Sequence, residues 1–127
     1  MAVATEIQRS GQADVTVHAL ERTPWLTVVT TPQVASKIRN WDLGEGECAV
    51  LARAYAHPGT EAIVDGLAAR CCATTLDIPI RGTLGLVLMA KQNGVIPAAG
   101  PILEKLRRSG MYLSDHMLNQ TLSLVEE

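Results

Sequence analysis

"DLGEGECAVLARA" (42–54), "EAIVDGLAARCCA" (61–73) and "RGTLGLVLMAKQNGVIP" (81–97) decide the fold of this chain. In the first stretch Glu45 and Glu47 head an Ala-rich run that predicts a helix over 44–55, ending near His57–Pro58–Gly59. In the second, Ala62, Ile63 and Val64 form a short apolar strand that leads directly into Asp65, and 67–73 reads as a short helix. A further brief strand follows over 78–81. Helix, strand, helix, strand at this spacing predicts βαβ units on a parallel sheet, an α/β fold.

Outward from that centre, 2–9 reads as a helix ended by Ser10–Gly11, and 13–22 as a second, stopped by Pro24. The β-branched run 25–30 predicts a strand, and 31–41 a loop. Thr83 is the expected N-cap of a helix to residue 93, with Gly94 as its stop. Leu84, Leu86, Val87, Leu88 and Met89 make that helix apolar nearly all round, so it should be buried. Over 98–109, Ile102, Leu103 and Leu106 should face inward, with Glu104, Lys105, Arg107 and Arg108 outward. Ser114 should cap a last helix carrying Leu118, Leu122 and Val125 on one face.

At 127 residues the chain is a single domain by length. A net charge of −2 argues against broad attachment to phosphate backbones while allowing a local basic patch. With 3% aromatic residues and no Phe, a base-stacking platform is excluded as the main binding device. Three cysteines, Cys71 and Cys72 adjacent, make neither a disulfide framework nor a metal pair and read as buried thiols in a reducing compartment. No secretory signal opens the sequence, and the longest apolar run, 84–90, is too short to span a bilayer, so the expected location is cytoplasmic, with no membrane partner.

Glu47 stands in line with Leu51, Ala54 and Tyr55, so its carboxylate should face the sheet. Glu45 aligns with Ala49, Ala52 and Ala56 and cannot share that face. Simple complementation of the helix dipole is an equal reading for both. Asp65 follows the apolar strand at once, where open α/β sheets bind ligands, although capping of the next helix is its commoner use. Glu6 sits mid-helix, and surface exposure is its plain alternative. Together these oxygens suit Mg²⁺ or Mn²⁺, whereas His18, His57 and His116 lack the spacing for zinc. The "GTLG" at 82–85, with Thr83 opening a helix, could offer backbone amides to a phosphate; a tight turn with close packing is its commoner role. Arg70 could reach the acidic cluster or a phosphate, with a surface role equally open. Lys105, Arg107 and Arg108 read as a solvated helix face.

"LGEGECAVLARA", "IVDGLAAR", "GTLGLVLMAKQNGVIP" and the tail "ILEKLRRSGMYLSDHMLNQTL" resemble, in order and spacing, the PIN-like family of nucleic-acid-binding proteins, relatives of the ribonucleases of bacterial toxin–antitoxin pairs. The resemblance implies a three-layer α/β/α sandwich on a mainly parallel sheet, with carboxylates binding Mg²⁺ or Mn²⁺ and hydrolysing RNA phosphodiester bonds. Carried over, "VATEI" supplies Glu6, "GEGE" supplies Glu47 with Glu45 nearby, and "IVDG" supplies Asp65, where many relatives have two successive acidic residues. Arg70 and Thr83 are the implied nucleic-acid contacts, RNA and an antitoxin protein the implied partners. The family's opening strand, which ends in an Asp, and the helix after it have no counterpart here. The expectation is therefore an N-terminally truncated single domain over 1–127 whose open sheet edge favours homo-oligomers. Two other readings stand beside a metal-dependent endoribonuclease: a catalytically impaired PIN-like binding or assembly module, and a small nucleotide-binding α/β protein resting on "GTLG".

Overall fold

Small side chains make α4 (Glu45–Ala56) the element on which others close. Ala49, Ala52 and Ala54 are buried along it beside Leu51, so neighbouring backbones approach closely. The computed structural model describes residues 2–9 and 15–127, and the chain packs as two units, 1–80 and 81–127. In the first unit α1 (Ala2–Gln8), α3 (Ser36–Arg39), β1 (Ala62–Ile63) and α5 (Leu67–Thr75) all pack on α4, and α2 (Val15–Arg22) packs on α1. Ile38, Leu51, Ala69, Cys72 and Ala73 are fully enclosed at the centre of this core.

Strands β1 and β2 (Ile80–Arg81) form a two-stranded parallel sheet with α5 as the crossover, and the Ala62 amide donates to the Pro79 carbonyl at 2.8 Å. The α/β reading and the order helix, strand, helix, strand are therefore observed. Residues 25–30 are not a strand: the Leu26 amide turns back to the Thr23 carbonyl, and Trp25 is 80% exposed. β-branched composition reflects a liking for a half-buried pleated surface, and here the segment lines a cavity beside β1 without joining the sheet. Within the expected loop 31–41 a short helix, α3, seats Ile38 in the core. The expected helix end at Ser10–Gly11 and the start at residue 13 lie outside the described residues.

The second unit is helical: α6 (Thr83–Gln92), α7 (Gly100–Arg108) and α8 (Asp115–Ser123) enclose Val87, Ala99, Leu103, Leu118 and Val125. Helix α6 begins one residue earlier than expected, with Gly82 as N-cap in place of Thr83. It ends at Asn93 with Gly94 at φ +74°, a conformation that only glycine adopts cheaply. Burial of α6 is less than its composition predicts: only Val87 is buried, and Leu86 is 41% exposed, because a unit this small encloses one face of a helix. On α7 Leu103 is enclosed, while Ile102 is exposed rather than inward. Ser114 caps α8 as expected, its hydroxyl accepting from the Met117 amide. Arg107 is not a solvated cation. It lies half-buried and bonds Asp115 and Glu104 at 2.7 Å each, contacts that raise its affinity for its proton, the Asp115 bond foremost.

Glu127 supplies what α7 lacks at its start. Ala99 provides no side-chain cap, and the Glu127 carboxylate accepts from the Ala99 and Gly100 amides at 2.8 and 3.1 Å, with the Lys91 ammonium 3.6 Å away. Those amides, then Lys91, hold its carboxyl below the usual range. The folded carboxyl thus releases its proton at a lower pH than an unfolded one. Its stabilisation is present above the unfolded value and lost as the pH falls through the folded one. Glu127→Gln should therefore lower the melting temperature at neutral pH, with the difference from the parent closing as the pH falls below the ordinary carboxylate range. Calorimetric melts across that range measure it.

Candidate carboxylate site

The first turn of α4 carries backbone N–H groups with no partner inside the helix, and its N-cap, Gly44, has no side chain to satisfy them. Glu6 of α1 fills the need from forty positions away: the Gly46 amide donates to Glu6 Oε1 at 2.9 Å. The fit depends on a missing side chain. A Cβ at Gly46 would lie 2.8 and 2.9 Å from the two Glu6 oxygens.

Glu47 follows directly, half-buried, at the head of the stripe that continues through enclosed Leu51. Its carboxylate reaches across to Gly66, where Oε2 occupies the volume a Cβ would take; the Glu47 Cδ is 3.5 Å from that point. Glu47 Oε1 stands 3.6 Å from the Cβ position of Gly44, an ordinary contact. Asp65 immediately precedes Gly66, just past β1. The helix start and the strand end therefore bring Glu47 to the residue beside Asp65 and Glu6 to the residue before Glu47. Glu45, in the same first turn, is exposed, although Ala49 and Ala52 on its own stripe are buried.

The N-cap position of α5 is Gly66, with Asp65 one residue before it. Arg70 is exposed on α5, one turn beyond Gly66. Thr83 opens α6 in the second unit, and Gly85 makes room for the Arg81 stem, whose Cγ would be 3.2 Å from a Cβ there, so close packing is one use of "GTLG". Of the cysteines, Cys72 is enclosed and Cys48 half-buried, but Cys71 is exposed, against the expectation that all three are buried. Burial, then neighbouring Cys48, pushes the Cys72 thiol up, which keeps it inert.

Among the described residues no three His, Cys, Asp or Glu side chains stand grouped so as to hold a metal ion. The donor set still fits a hard divalent cation. Mg²⁺ is commonly held by one or two carboxylates, keeps several waters, and leaves positions for substrate phosphate. Glu47, whose carboxylate lies at Gly66, and Asp65, the residue before it, suit that pattern, and Glu6 Oε1 accepts from the Gly46 amide next to Glu47. An apolar cavity of about 500 Å³ elsewhere in the first unit, lined by Val3, Ile7, Leu20, Val28, Val50 and Ile63 among others, includes none of these carboxylates.

A carboxylate from a helix start that reaches the residue past a strand end has the layout of a ligand site in an open α/β fold. The chain belongs to the PIN-domain family, whose sequence model matches residues 1–127; such domains are nuclease-like, act on nucleic acid and generally depend on divalent metal ions. No curated protein and no solved structure matches this chain. No helix among the described residues is long and apolar enough to cross a membrane. Sequence reasoning passed over two residues of the site, Gly46 and Gly66. Their signal was present in "GEGE" and "IVDG", where a glycine adjoins each proposed ligand.

Proposed function

We propose that the protein is a metal-dependent endoribonuclease of the toxin–antitoxin type, hydrolysing RNA phosphodiester bonds with Mg²⁺ or Mn²⁺. Glu47 and Asp65 are the principal oxygen ligands, Glu6 completes the set, and Glu45 adds negative charge at the rim. The observation that carries the reading is the reach of the Glu47 carboxylate to Gly66, which links the start of α4 to the residue beside Asp65. The bound ion supplies a water of lowered pKa and neutralises charge on the phosphate.

The chain's own residues prepare that chemistry. Helix α4 fixes Glu47 through its buried face, so the carboxylate needs little reorganisation on meeting a cation. Arg70, one turn on, is the proposed contact to a non-bridging phosphate oxygen. Thr83, at the start of α6 in the second unit, is a further proposed nucleic-acid contact. The proposal carries with it an α/β/α layering, a protein antitoxin that covers the acidic rim, homo-oligomers, and a cytoplasmic site of action.

Incubation of purified protein with end-labelled single-stranded RNA is the test. Cleavage should require Mg²⁺ or Mn²⁺, stop with chelator, and leave DNA of the same sequence intact. RNA that stays whole with both metals would end the proposal.

A further inference from the structure

We propose that Gly46 and Gly66 are positioning residues: their missing side chains form the two slots in which the Glu6 and Glu47 carboxylates sit. This deepens the nuclease reading and rests on it for the metal that those carboxylates would meet.

Neither glycine is required by its backbone. Gly59, Gly94 and Gly110 have positive φ, whereas Gly46 lies in the first turn of α4 and Gly66 has φ −60° and ψ 133°, geometry open to any residue. On backbone grounds alone alanine would serve at both positions, and inside a helix it is favoured over glycine. Space is the constraint. A Cβ at Gly46 meets both Glu6 oxygens, at 2.8 and 2.9 Å, and a Cβ at Gly66 meets Glu47 Oε2. In each case the obstructing atoms are the free end of a flexible side chain rather than backbone. An added methyl group therefore displaces a carboxylate rather than backbone, and at Gly46 it also takes away the bond from the residue-46 amide to Glu6. Gly44 is the internal contrast, since a Cβ there stands 3.6 Å from Glu47 Oε1, in ordinary contact.

A purely structural glycine and a positioning glycine differ in what they disturb. Loss of a structural glycine lowers the melting temperature and leaves ion affinity in the folded protein unchanged. Loss of a positioning glycine moves the carboxylate and leaves the fold alone. Gly66→Ala, Gly46→Ala and Gly44→Ala are therefore compared with the parent in three measurements: the thermal melt, Mn²⁺ affinity by titration, and the carboxylate ¹³C resonances of Glu6 and Glu47 without metal. Gly66→Ala should melt close to the parent, weaken Mn²⁺ binding on the order of tenfold or more, and shift the Glu47 resonance. Gly46→Ala should shift the Glu6 resonance and abolish hydrogen-exchange protection of the residue-46 amide. Gly44→Ala should do neither. In a Glu47→Gln background Gly66→Ala should bring no further loss of Mn²⁺ affinity.

Unmoved Glu6 and Glu47 resonances in the two alanine variants would overturn the inference, as would Mn²⁺ affinity unchanged in Gly66→Ala. A parent protein that binds no Mn²⁺ would overturn the nuclease reading, while the metal-free resonances would still decide the positioning role.

Discussion

Glu47→Gln is expected to cut metal-supported RNA cleavage by at least about 100-fold while leaving the fold in place. Glutamine keeps the length and shape that fit beside Gly66, so the slot stays filled and α4 keeps its packing. What disappears is one negative charge in the donor set. An ion-binding carboxylate in such a site contributes several kcal/mol of transition-state stabilisation, and each ~1.4 kcal/mol is a factor of ten in rate. The stability change should be small, because an acidic residue in the first turn contributes only about 0.3–1 kcal/mol through the helix dipole. Single-turnover cleavage of labelled RNA, beside a circular-dichroism melt, separates the two effects. A rate within a few-fold of the parent would remove Glu47 from the chemistry.

Leu51→Ala should be the most destabilising single change in the first unit. Leu51 is fully enclosed, one helical turn from Glu47, among Ile38, Ala69 and Cys72. Truncating an enclosed leucine costs about 2–5 kcal/mol, through lost apolar contact and the cavity left behind. Against a total stability of about 5–15 kcal/mol, that leaves a marginal fold. Leu67→Ala is the contrast. Leu67 is 78% exposed on α5, so its truncation should fall within about 0.5 kcal/mol of the parent. Urea unfolding of both variants measures the difference, and similar midpoints for the two would show that α4 does not anchor this core.

The elements that could be read from the sequence are those in which local pattern and tertiary packing agree. The alanine run of α4, the apolar strand before Asp65 and the hydroxyl cap of α8 are all found within a residue or two of expectation. Reading failed where tertiary packing overrode a local preference. Residues 25–30 have strand composition but stay outside the two-stranded sheet, and α6 has apolar residues all round but is mostly half-buried, with Val87 enclosed and Leu86 exposed. Arg107 was misread because its two acidic partners lie three and eight positions away and only the fold brings Asp115 within reach.

The carboxylates show the same division. Periodicity put Glu47 and Glu45 on different stripes of one helix, but both stripes are buried further along, at Leu51 and Ala54 and at Ala49 and Ala52, so the exposure of Glu45 was not legible from spacing. The place of Glu6 depends on α1 packing against α4, and no spacing rule joins residues 6 and 46. The glycines escaped notice for a different reason: their contribution is an absence of atoms, visible only once the facing side chain has a position.

The meeting of Glu47 and Asp65 around one divalent ion is tested most directly by titrating ¹⁵N-labelled protein with Mn²⁺ and following paramagnetic broadening of the amide resonances. The amides of Gly46, Glu47, Asp65 and Gly66 should broaden first and together, at substoichiometric metal. Broadening that begins at Glu104, Asp115 or Glu127 in the second unit, or spreads evenly over the acidic surface, would contradict a metal site at the start of α4.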